Sequence, residues 1–128
     1  MAGVTSKTLS EAGFVRAPGL QISRTIDATA VDTGNTGQTH ILRAGLVLGK
    51  LTTSGNLVHY LDSASDGSQV AHAILASSVD LKDGDPAATA AAHKGTVYVS
   101  GWFKSSALFG YDAAALADFV TGGRIWID

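Results

Sequence analysis

The 128-residue chain predicts a mainly β fold with short helices. Three observations carry this. Short apolar runs alternate with Gly, Asn and Asp turn signals, above all from Ile41 to Leu81. Helical composition is confined to two short stretches, both in the second half of the chain. The chain shows no internal repeat and no linker, so its length fits one domain with one modest core.

Residues 1–19 are small and polar, with Pro18-Gly19 as a breaker, and read as a flexible N-terminal arm. Phe14 and Val15 are its one bulky apolar pair. Residues 20–128 read as a single β-rich domain. Leu20 to Val31 is its first strand, with Ile22, Arg24, Ile26 and Ala28 sharing a face. Asp32 to Gly37 is a loop by composition. Leu46–Thr52 and Leu57–Leu61 flank the turn Thr53-Ser-Gly-Asn56, in which Gly55 and Asn56 tolerate positive φ, so they predict a hairpin. After a polar loop around Asp66-Gly67, Val70 to Leu81 reads as one long strand. Asp85 as cap, Pro86 at the first turn, an alanine run and Gly95 as stop predict a short helix. Thr96–Phe103 is the next strand. Asp112 caps a second helix from Ala113 to about Thr121, with Leu116, Phe119 and Val120 as its buried stripe and Gly122-Gly123 as its end. Arg124 to Asp128 closes the chain as a strand that docks its Trp126 on the domain or on a neighbouring subunit.

Charged residues make up 16% of the chain, under the roughly 25% of an average soluble protein, and suit a surface packed against other protein. The net charge is −2 and the basic residues are scattered, which argues against direct contact with nucleic acid. The absence of cysteine removes disulfides, thiolate metal sites and cysteine nucleophiles. The first residues carry no apolar run of signal-peptide length, and the longest apolar patch, Ala44 to Gly49, is too short to cross a bilayer. Together these predict a soluble product, made in the cytoplasm, with no membrane partner.

No catalytic, cofactor or metal site is predicted. Gly45-Leu-Val-Leu-Gly49-Lys50 has phosphate-loop flavour, but the glycine spacing is one short and Leu51 stands where Ser or Thr must bind magnesium. It reads as a strand whose glycines let another backbone pass closely. His59 and His72 are the best candidate pair for a metal, with Asp62 as a third ligand, yet no close histidine pair exists. Asp80 to Asp85 lacks the ligand order and closing Glu of a calcium loop. No serine stands in a nucleophile elbow or beside an evident His–Asp pair.

A series of motifs runs in order along the chain: Gly45, Val47, Leu48, Gly49 and Lys50; Gly55 and Tyr60; Asp66, Gly67, Ala71, Ile74 and Leu75; Val79-Asp80; Val97, Val99 and Gly101; Ala107-Leu108; and the helix from Ala113 to Val120. In this order and spacing they resemble the lambda-type bacteriophage head decoration proteins. Ala73 departs from the Gly that many members carry. The resemblance covers Ile41 to Ile127, and the preceding residues match poorly. It implies a β-clip-like small domain and a structural protein of the virion, not an enzyme. It also implies a homotrimer that binds major capsid protein at three-fold sites on the outer surface of the expanded head and holds it against the pressure of packaged DNA. Phe14, Val15, Leu20 and Ile22 are then the expected capsid contacts, and Trp102, Phe103 and Trp126 the expected trimer contacts. Two other readings compete. A small trimeric β-clip nucleotide hydrolase would need a Tyr-x-Gly-Glu after Thr25-Ile-Asp27, which is missing. A carbohydrate- or ligand-binding module would need an exposed aromatic platform, for which Trp102, Phe103, Phe109 and Tyr111 are the candidates.

Overall fold

The computed structural model of the chain describes residues 15–127. Five strands close into a small barrel in the order β2 (Gln21–Ile26), β5 (Leu57–His59), β4 (Val47–Lys50), β6 (Ala71–Leu75) and β8 (His93–Tyr98). A three-stranded sheet stands beside it, in which β9 (Gly101–Phe103) lies between β1 (Val15–Pro18) and β10 (Ile125–Ile127). β10 runs parallel to β9 and β1 antiparallel to it. The helix α1 (Ala113–Gly122) packs on β10 and β6. β3 (Ile41–Leu42) and β7 (Val79–Asp80) form a separate pair at one end.

Two apolar layers explain the patterning. Ile26, Leu48, Leu57, Ala73, Leu75 and Val97 fill the barrel. Val47, Ile74 and Tyr98, which alternate with them along the same strands, pack outward under Phe103, Phe119 and Ile125. Val47-Leu48 of β4, Ala73-Ile74-Leu75 of β6 and Val97-Tyr98 of β8 are thus buried on both faces, which is why the apolar residues there run consecutively and do not alternate strictly.

The hairpin of β4 and β5 forms as the turn chemistry predicts, with Leu48 opposite His59 and Gly55 at φ 76°. Gly49 is a point of close approach: a Cβ there would lie 2.6 Å from the Ser68 Cα. The 61–70 loop folds back over β4 at this point. Leu61 N–H donates to the Ser68 carbonyl, and Thr52 N–H to the Asp66 carbonyl. Gly67 completes the crossing, at φ 109° and with no room for a Cβ against the Lys50 carbonyl.

Several expected elements differ. The long strand expected from Val70 to Leu81 breaks at Ala76, and its end leaves the barrel as β7 to pair with β3. Thr96–Phe103 likewise divides into β8 and β9. The helix expected from Pro86 to Gly95 does not form. Asp85 accepts from Ala87 N–H at 3.0 Å and closes one turn, but His93, Lys94 and Gly95 pair with Ile26, Thr25 and Arg24. A short isolated alanine run gains little from helix, and the β2–β8 ladder competes successfully for its last residues. Val15–Pro18, read as the end of an arm, pairs with β9 as β1.

α1 forms where expected. Asp112 Oδ1 accepts from Ala115 N–H at 2.8 Å, and Gly123 closes the helix at φ 69°. Its buried face is Ala115 and Phe119, whereas Leu116 and Val120 face outward. Two bonds set this rotation. Tyr60 donates to Asp112 Oδ1 at 2.9 Å, and Ala71 N–H donates to Asp118 Oδ2 at 2.9 Å.

Candidate interaction surfaces

The three-stranded sheet has two unlike faces. Side chains alternate along a strand, and partners in register on neighbouring parallel strands share a face. Phe103 and Ile125 point inward and are buried. Trp102 and Trp126 are register partners and point outward, 46% and 59% exposed. The backbone stays extended at Lys104 (φ −94°, ψ 114°), so its side chain follows that of Trp102. Arg124 precedes Trp126 by two residues and is likewise exposed. Two indoles thus stand side by side with a cation at each end.

The expected contact residues are placed as follows. Phe14 lies outside the described residues, and Val15 begins β1. Leu20 is exposed and is tied by its backbone to Ser100 Oγ and Val99. Ile22 is only partly exposed, because it packs against the barrel core. Phe103 is corrected. It is completely buried and meets the Tyr98 ring edge-on at 5.1 Å between centroids, so it has no surface to offer a second subunit. The four-residue aromatic platform is not assembled either, since Phe103 is in the core and Phe109 lies partly buried beneath Arg43.

The most developed polar cluster lies in a cleft of about 360 Å³ lined by Asp32, Arg43, His59, Tyr60 and Phe109, among others. Asp32 is 2% exposed and takes a two-pronged ion pair from Arg43, Nε to Oδ2 at 2.7 Å and Nη2 to Oδ1 at 3.0 Å. The Arg43 guanidinium lies 3.6 Å above the Phe109 ring centroid. Burial alone would raise the Asp32 carboxyl, but the Arg43 bonds and charge outweigh it and hold the group below the ordinary carboxylate value. The same pairing raises Arg43. His59 Nδ1 accepts from Val31 N–H at 3.1 Å, and burial holds its imidazole neutral to lower pH than usual. Tyr60, buried and bonded to Asp112, keeps its phenolic proton well beyond the ordinary range. Every polar group in the cleft that these bonds describe is engaged within the fold. The Asp32–Arg43 pair clasps the two ends of the 32–43 loop, and the Val31–His59 bond ties its start to the barrel.

The two histidines weighed as metal ligands are kept apart. β4 separates β5, which carries His59, from β6, which carries His72. No group of three metal-ligating side chains gathers among the described residues. Among the same residues, no helix is long and apolar enough to cross a membrane.

A family model for bacteriophage lambda head decoration protein D matches residues 10–119. The chain belongs to this family. Its members are structural proteins of the phage capsid, which gives the chain a decorating role on the head and places it in the virion. No curated protein matches the chain significantly. The family match takes in residues 10–40, where the motif reading found little. The structure supplies a reason for that silence: β1 and β2 enter the fold through backbone pairing with β9 and β8, which asks little of sequence beyond extended geometry.

Proposed function

We propose that this head decoration protein is a cement: it binds the outer surface of the expanded head as a homotrimer at three-fold sites between major capsid protein subunits and stabilises the shell against internal DNA pressure. It acts mechanically and has no enzymatic activity. The family match over residues 10–119 carries this reading. A small domain with a well-filled double-layer core and an exposed tryptophan pair supports it, since such a body is stiff and offers large side chains to a partner. The N-terminal segment with Phe14, and Leu20 and Ile22 beside it, are the contacts we assign to the shell. An extended segment adds to a sheet edge through its backbone, and many copies on one lattice offset weak single contacts.

The test is co-sedimentation with expanded, decoration-free heads of the phage that encodes the protein, with unexpanded heads as control. Saturable binding to expanded heads alone is the expected outcome, together with heads that resist heating or loss of divalent cation better when saturated. Absence of binding to either form overturns the proposal.

A further inference from the structure

We propose that the outer face of the β1–β9–β10 sheet, where Trp102 and Trp126 stand between Lys104 and Arg124, seats against a carboxylate-bearing protein surface of the phage head. This rests on the capsid reading above and names the surface and the chemistry of its partner.

Three observations lead to it. The first is exposure. Trp102 and Trp126 are large apolar side chains left in water on a face that the domain does not cover, whereas the same two strands bury Phe103 and Ile125 on the other face. Tryptophan and arginine are the side chains that most often dominate binding energy at protein interfaces. The second is charge. The chain carries a net charge of −2, yet the described residues that alternate onto this face beside Trp102 and Trp126 are the cations Lys104 and Arg124; Asp128 lies outside the described residues. Neither Lys104 nor Arg124 has an ion-pair partner among the described residues. The third is continuity. Arg124, Lys50 and Arg24 all act on His72 of the adjoining barrel, whose proton affinity is lowered first by partial burial and then by these three positive charges. A surface of one sign steers and selects a partner of the other.

The competing occupant is a second copy of the chain. Closed trimers use two different, complementary surfaces of each subunit. The outward stripe of α1, Leu116 and Val120, is apolar and uncharged and suits self-association. The tryptophan face, bracketed by cations, suits an anionic surface.

The test uses the full chain and expanded, decoration-free heads. Three proteins are compared: wild type, Trp102→Ala/Trp126→Ala, and Lys104→Glu/Arg124→Glu. The second pair of substitutions lies wholly in exposed side chains, and circular dichroism confirms folding of both variants. The expected result is head binding weakened about thirtyfold by the tryptophan changes, the loss typical of interface hot spots, and at least about tenfold by charge reversal. Wild-type binding weakens with salt, the reversed variant loses that dependence, and the solution mass of both variants by sedimentation equals that of wild type. The inference is overturned if both variants bind heads as wild type does. It is also overturned if the tryptophan changes alter the solution mass, which assigns the face to a second copy. Failure of wild type itself to bind marks failure of the capsid reading, from which this inference would fall as well.

Discussion

Phe103 and Trp102 are neighbours on one strand and face opposite worlds. Phe103 sits under α1 against Tyr98 and Ile125 with none of its surface in water, and Trp102 stands beside Trp126 nearly half exposed. In sequence the two are alike, both expected trimer contacts. The difference shows how one sheet can serve two purposes: its inner face holds the domain together, and its outer face is free for a partner. The same division runs through the ionisable groups. Asp32, buried, and Arg43 form a lock that clasps the two ends of the 32–43 loop, while Asp83 and His93 meet at the exposed edge of the 80–93 loop.

Predictions follow from pressing on each side of that division. Phe103→Ala removes a fully buried ring and leaves a cavity where α1 meets the sheet, so unfolding in denaturant is expected to show a loss of about 3–5 kcal/mol. A loss near zero would mean that this face is not core.

Arg43→Ala strands the Asp32 carboxylate in a buried site. The expected cost is about 3 kcal/mol, at the lower end for a broken buried pair because the guanidinium is 33% exposed. This pair also sets an acid limit. The Asp32 carboxyl is lowered from the ordinary 3.8, so its contribution is fully present above that value and is lost as pH falls through the lowered one. In Arg43→Ala burial acts on Asp32 against only the backbone N–H groups of residue 43 and Gly34, and the acid unfolding midpoint is expected to move to higher pH. A midpoint that stays put would show that the lock contributes nothing to acid tolerance.

The exposed pair has the opposite sign and a smaller effect. His93 Nδ1 lies 2.7 Å from the Ala91 carbonyl, and Nε2 lies 2.7 Å from Asp83 Oδ1. Two acceptors favour the doubly protonated ring, so the Ala91 carbonyl first, and then Asp83, raise His93 above the ordinary 6.5. The stability it contributes is present below that value and is lost as pH rises through the raised one. Asp83 is 80% exposed, so the effect is expected to stay under about 1 kcal/mol. Hydrogen exchange of the 82–92 amides should quicken as pH rises beyond the intrinsic base-catalysed trend, and Asp83→Asn should reduce that excess to the part the Ala91 carbonyl supports. An excess undiminished in Asp83→Asn would locate the switch elsewhere.

The smallest effect on stability is expected for Trp102→Ala, within about 1 kcal/mol by thermal unfolding, because nearly half of the indole is in water and its removal opens no enclosed cavity. A loss comparable to that of Phe103→Ala would erase the distinction between the two faces.

Much of the fold was legible in local chemistry. Gly55 and Asn56 mark the hairpin, Asp112 and Gly123 bound α1, and Gly49 marks a backbone crossing because a Cβ cannot fit there. These features depend on a few consecutive residues or on the absence of a side chain, so sequence displays them directly. The candidate surface was only partly legible. Trp102 and Trp126 stand out by type, but that they are register partners, and that Phe103 turns the other way into the core, depends on β9 pairing in parallel with β10.

Composition, turn residues and caps by themselves determined a small, cysteine-free, mainly β domain with one capped C-terminal helix, and the order of its motifs pointed to the decoration family. Tertiary structure alone decided which way each element turned. The alanine-rich stretch before His93 gave its end to the β2 ladder, and long-range bonds from Tyr60 and Ala71 rotated α1 so that Ala115 lies inside and Val120 outside. Local propensity is worth tenths of a kcal/mol per residue, on the order of 0–0.7. A strand ladder or a buried face gathers many such contributions at once, and that sum sets the orientation.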